Sequence, residues 1–165
     1  MSQRKKFLAI GQAKGDKWKS GAMYVSKLWD WFAMIGMTRE DVYKVFEFDA
    51  MIPHGTPRAK KGRVPPSGEQ MAAYHPTLIK NIDALNPKLV VPIGGIAVQR
   101  TLATKAELSE LIGHRFVMKP FNEAKRETVV IPLPHPSGVS LWLNAQANKK
   151  LLAQAMQLIR EEIAK

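Results

Sequence analysis

Three short apolar runs, each closed by glycine or proline, constrain this chain more than any other feature. Phe7 to Ile10 stops at Gly11, Leu89 to Ile93 at Gly94 and Gly95, and Thr128 to Leu133 at Pro134. Apolar runs of this length without polar alternation suit strands buried on both faces, and such strands pair in parallel with helices above and below. Helical spacing fills the intervals. Leu28, Trp31, Phe32 and Ile35 mark one helix that Gly36 ends, and Met71, Tyr74, Leu78, Ile82 and Leu85 mark another that Pro76 is expected to kink or divide. Val42 to Ile52 carries Val, Tyr and Phe and is expected to be a strand. Helices are expected over Ile96 to Ala103 and near Ala106 to Ile112. Leu151, Leu152, Ala155, Ile159 and Ile163 line one face of a terminal amphipathic helix. Pro53 to Pro66 is the one long loop, and no internal repeat or low-complexity segment interrupts the pattern.

Composition narrows the partners. With 165 residues, 45% of them hydrophobic, the chain fits one domain over residues 1–165. Lys and Arg outnumber Asp and Glu by 25 to 14, a net charge of +11, so the surface field favours a polyanion, an acidic partner or an anionic membrane surface. The same charge also serves solubility, so motifs must decide. No apolar run approaches the roughly 20 residues of a membrane span, and Met1 to Lys6 leads into a strand rather than a signal core, so a soluble, cytoplasmic protein is expected. Cysteine is absent, which excludes disulfides, zinc ribbons and thiolate-held clusters. Four dispersed histidines do not make a metal site, and no cofactor is expected.

In a parallel sheet, ligands bind at the carboxyl ends of the strands, so the loops opening at Gly11, Pro53, Gly94 and Pro134 are expected to share one edge. Leu133-Pro134-His135-Pro136-Ser137-Gly138-Val139-Ser140 sets an imidazole between two prolines and follows it with small hydroxyl residues. Backbone N–H groups near Ser137, Gly138 and Ser140 suit a phosphate, and equally a helix cap. Gly11-Gln12-Ala13-Lys14-Gly15 can bend around a ligand or form a plain strand-to-helix turn. Arg58, Lys60, Lys61 and Arg63 sit in a loop without an acid, which suits phosphate contacts or a solvated charge run. Trp29, Trp31 and Phe32 read as core. Trp18 and Tyr24 are better placed to meet a base.

These segments resemble the uracil-DNA glycosylase superfamily. Ile131 to Gly138, continuing through Val139-Ser140-Leu141-Trp142-Leu143-Asn144, resembles its second signature, and Gly11 to Gly15 its first. Trp29 to Gly36 with Thr38, and Pro65 to Leu102 through Asn86-Pro87-Lys88 and Gly94, resemble the intervening parts, so nearly the whole chain is covered. The resemblance implies a three-layer α/β/α sandwich with a short, mainly parallel central sheet, acting as a monomer on uracil-containing DNA, single- or double-stranded, in base excision repair. It implies that uracil is flipped out and its N-glycosidic bond hydrolysed. His135 matches the histidine that donates a hydrogen bond to the uracil carbonyl as charge builds there. Ser137 and Ser140 match positions that pinch the DNA backbone, and Leu141, Trp142 and Leu143 match the minor-groove wedge.

Two departures stand out. Many members carry Asp, Asn or Glu in the first signature to position water, whereas this chain has Gln12 and Ala13. Gln12, Asp16 and Glu47 are the alternatives for that role. The strand position that usually offers an Asn to uracil falls near Glu47 to Asp49. The expected catalytic residues are therefore His135, Gln12 and Asp16, with Gly11, Ala13, Trp18, Tyr24 and Glu47 at the substrate. Ser137, Gly138, Ser140, Leu141, Trp142, Arg58, Lys60, Lys61 and Arg63 are expected at the DNA. Two other readings stay open: a catalytically weak or idle damage-binding module of the same fold, and an unrelated nucleotide-binding α/β protein.

Overall fold

The computed structural model describes residues 5–14, 26–57, 59–60, 64–136 and 141–165. Its centre is a five-stranded sheet in the order β2-β1-β3-β5-β4, built from β1 (Phe7–Ala13), β2 (Phe46–Ile52), β3 (Leu89–Pro92), β4 (Phe116–Met118) and β5 (Thr128–Val130). The first four strands in that order run parallel, and β4 closes the edge antiparallel to β5. The side-chain period of two then sorts the apolar runs into two cores. Phe7, Ala9, Phe46, Leu89, Val91, Ile131 and Leu133 face one side. There they meet Leu28, Trp31 and Phe32 of α1 (Ser26–Ala33), Val42 of α2 (Arg39–Val45), and Leu152, Ala155, Met156 and Ile159 of α6 (Gln146–Ala164). Leu8, Ile10, Met51, Val90 and Val130 face the other. They meet Met71, Leu78 and Ile82 of α3 (Gly68–Leu85), Ala97 and Val98 of α4 (Gly95–Thr101), and Leu111 of α5 (Leu108–Leu111). The result is the three-layer α/β/α sandwich.

Two elements differ from the sequence-based expectation, and a third narrows it. Val42 to Ile52 is not one strand, because residues 39–45 form α2 and the strand begins at Phe46. Thr38 and Asp41 form a capping box, with the Thr38 side chain accepting from the Asp41 N–H at 3.1 Å and the Asp41 carboxylate accepting from the Thr38 N–H at 2.9 Å. Glu40 and Asp41 also complement the helix dipole. These local signals outweigh the strand preference of Val42, Tyr43 and Val45. Of the two outcomes expected at Pro76, a kink or a division, the division does not occur, because α3 is continuous over 18 residues. Pro76 and Ala72, the residue whose carbonyl loses its helical donor, are both exposed, so water can satisfy that carbonyl. Ala103 adopts a left-handed conformation (φ 52°) and ends α4 earlier than periodicity indicates.

Strand β5 stops at Val130, but the pairing continues past Pro132 to Leu133. The Ile131 N–H donates to Val90 O at 3.0 Å, the Leu133 N–H to Pro92 O at 2.9 Å, and the Gly94 N–H to Leu133 O at 2.9 Å. With the Ile93 N–H bonded to Ile10 O at 2.8 Å, three strand ends are locked side by side. This lock carries the loops of interest to one edge.

Candidate active site

At that carboxyl edge, three backbones come close enough for their residues to share one small volume. Gly94 has φ 94° and ψ 154°, a region open essentially to glycine alone. A Cβ built on Gly94 would stand 2.9 Å from Gln12 Nε2 and 3.1 Å from the His135 ring. The absent side chain is therefore what lets the Gln12 amide and the imidazole approach each other over the start of α4.

His135 is half-buried between buried Pro134 and Pro136. Burial lowers its pKa from the ordinary value of 6.5, because desolvation penalises the imidazolium. At neutral pH the ring is uncharged, with one N–H to donate. Gln12 is half-buried at the end of β1, behind buried Gly11. Its amide offers both a carbonyl acceptor and an NH2 donor. Ala13 is half-buried and pairs in register with Ile52 of β2.

Not every residue singled out from sequence joins this group. Glu47 pairs with Leu8 near the amino end of β2, remote from the carboxyl edge, and its exposed carboxylate lies 3.7 Å from Lys5 Nζ. Lys60 is exposed. Leu141 is 77% exposed, the largest value among the exposed large hydrophobic residues of the described chain. Trp142 and Leu143 instead pack against the core beneath α6, and the Trp142 carbonyl accepts from Asn148 Nδ2 at 2.7 Å. Of the three wedge positions, Leu141 presents the free apolar side chain. Asp16, Trp18, Tyr24, Arg58, Lys61, Arg63, Ser137, Gly138 and Ser140 lie outside the described residues.

Sequence reasoning missed two sets of contacts. The sequence places Gly94 at the opening of a ligand-edge loop, but does not show that its missing side chain makes room for Gln12 and His135. The second set concerns Asp49, which lies in the span Glu47 to Asp49 where the resemblance puts a uracil contact: it is buried on β2, and its partners Tyr74 and Asn81 lie 25 and 32 residues away. The spacing of Tyr74 and Asn81, two turns apart on α3, is the one signal that links those two partners in the chain.

A cleft of about 540 Å³, lined in part by Lys80, Asp83, Lys125 and Arg126, lies where Pro87 and Thr128 lead into β3 and β5. It belongs to the opposite edge of the sheet. Among the described residues no group of three or more His, Asp or Glu side chains could hold a metal ion, and no helix is long and apolar enough to cross a membrane.

A three-layer α/β/α sandwich with a histidine and an amide meeting at the carboxyl edge of a parallel sheet defines an α/β protein with a strand-end polar site. Residues 2–160 match the uracil DNA glycosylase superfamily, and the chain belongs to that family. No curated protein matches the chain closely enough to count as a relative.

Proposed function

We propose that this protein is a uracil-DNA glycosylase, a single domain over residues 1–165 that hydrolyses the N-glycosidic bond of a uracil flipped out of DNA. The observation that carries the reading is the convergence of His135 and Gln12 over Gly94. As the C1′–N1 bond breaks, its electron pair moves onto the uracil and negative charge grows on a ring carbonyl. The neutral His135 N–H donates to that oxygen. A fixed donor in a partly dry pocket stabilises the charge more in the transition state than in the bound substrate. Water adds its oxygen to C1′ of the oxocarbenium-like sugar and releases a proton. The Gln12 carbonyl can accept a hydrogen bond from that water and so orient it.

Exposed Leu141 suits the wedge that fills the space left by the base, and a positive chain suits the phosphates. Incubation with labelled single-stranded uracil-DNA, followed by alkaline cleavage at abasic sites, is expected to give a cut strand. An intact strand together with measurable DNA binding would favour the second reading, an idle damage-binding module. That reading draws on Gln12 and Ala13, which put an amide and a methyl group where a carboxylate is common.

A further inference from the structure

Below the end of β1, on the α3 side of the sheet, a separate polar group is assembled around Asp49, which is only 4% exposed. Its Oδ1 accepts from the Ala50 N–H at 2.8 Å and from the Tyr74 hydroxyl at 2.9 Å, and its Oδ2 accepts from Asn81 Nδ2 at 2.9 Å. Lys14 Nζ lies 3.4 Å from Oδ1 and 5.8 Å from the centre of the Tyr74 ring. Burial, then the nearby Asp49 charge, pushes the Tyr74 phenol well above its ordinary pKa, which keeps it a donor. A buried carboxylate is costly unless well satisfied. This one has three hydrogen-bond donors before the ammonium is counted.

Lys14 is tied at both ends. Its N–H donates to Ile52 O at 3.3 Å, and its side chain reaches Asp49. Gln12 lies two residues earlier, so the alternation of an extended chain puts both side chains on the same face.

We propose that Asp49, Tyr74 and Asn81 form a socket for Lys14 that positions Gln12 beside Gly94 and His135, making Asp49 and Lys14 positioning residues for water orientation. The inference rests on the uracil-excision reading for its kinetic consequence and on the contacts above for its structural one. Held at backbone and side chain, the run from Gln12 to Lys14 loses the freedom that would let the amide swing away. An error of about an ångström in such a group costs up to about a hundredfold in rate.

The test uses Lys14→Met, which leaves the three hydrogen bonds of Asp49 in place, and Lys14→Arg, which restores a cation. Single-turnover excision by Lys14→Met at saturating enzyme is expected to fall roughly ten- to a hundredfold, with unchanged DNA affinity and recovery in Lys14→Arg. Adding Lys14→Met to a Gln12→Ala background is expected to change the rate little, because the two substitutions disable the same function. Hydrogen exchange at the Lys14 amide reads the same effect without activity, and faster exchange in Lys14→Met is expected. An unchanged rate with unchanged exchange overturns the proposal. A loss confined to affinity, with a shallower salt dependence, also overturns it and makes Lys14 a phosphate contact. Should the wild-type protein excise no uracil, the excision reading fails, and the exchange measurement alone decides whether the socket holds the loop.

Discussion

One methyl group at Gly94 tests the site geometry most directly. In Gly94→Ala the new carbon would lie 2.9 Å from the Gln12 amide nitrogen, and the far end of a flexible side chain moves aside easily, so the collision displaces Gln12 rather than the fold. The backbone is a separate matter, because φ 94° with ψ 154° costs a non-glycine residue on the order of 1–3 kcal/mol. Gly94→Ala is therefore expected to unfold at lower denaturant and to lose excision at temperatures where it stays folded. Wild-type excision by the folded variant would show that the Gln12 position does not matter. His135→Ala addresses the other side chain, and loss of one preorganised donor typically lowers the rate about a hundredfold to a thousandfold. Its pH behaviour follows from burial. The folded pKa lies below the ordinary 6.5, so the neutral donor persists at pH 7 and above and excision is expected to stay level there. The unfolded chain takes up this proton at higher pH than the folded one. The stability linked to His135 is thus full above about 6.5 and declines as pH falls below that value. Measuring denaturant midpoints of wild type and His135→Ala from pH 8 to pH 5 checks the sign, since the wild type should lose more than the variant. His135 was legible in the chain because two prolines frame it. The positions of Gly94 and Asp49 were also marked, but their contacts were not, since these join strand ends and helices distant in sequence.

Among the elements, the parallel core could be read because Phe7 to Ile10 and Leu89 to Ile93 are apolar on both faces, which few arrangements accommodate. The terminal helix was equally plain, and Leu152, Ala155 and Ile159 are buried as its periodicity requires. Strand β4 was not foreseen, for three residues carry too little pattern to distinguish an edge strand from a loop. The boundary at Phe46 was missed because a capping box at Thr38 and Asp41 overrode strand-like residues, although that box was itself visible. Phe46 shows what the boundary achieves. Fully buried at the first position of β2, it packs against Phe7 with ring centres 5.4 Å apart and against Phe32 at 5.6 Å. Phe46→Ala is expected to cost about 3–5 kcal/mol through lost burial and the cavity left behind. Thr38→Ala, which removes only a cap, is expected to cost about 0.5–2 kcal/mol. Urea unfolding of both variants checks the order, and a larger loss for Thr38→Ala would mean that α2, rather than the sheet, limits stability.

At the scale of the whole molecule, the excess of 25 basic over 14 acidic side chains makes a general claim about DNA that salt can test. Binding driven by phosphate contacts releases counterions, so log affinity falls linearly with log salt, by about 0.9 per contact on duplex and about 0.7 on single strands. Lys60, Lys61 and Arg63 lie within four positions of one another in the sequence after β2, whose carboxyl end is at the same sheet edge that carries Gln12 and His135. If all three meet phosphates, their joint replacement by Ala should reduce the slope by about 2 on single-stranded DNA and somewhat more on duplex. Single-turnover excision at saturating enzyme should change little, because these charges recruit DNA without touching the reacting bond. Such a pattern separates them from His135, whose loss should leave affinity nearly intact while the rate falls. Titrations of wild type and triple variant between 50 and 200 mM salt supply both slopes. An unchanged slope in the variant would assign the loop to a solvated surface and move the phosphate contacts to other basic residues.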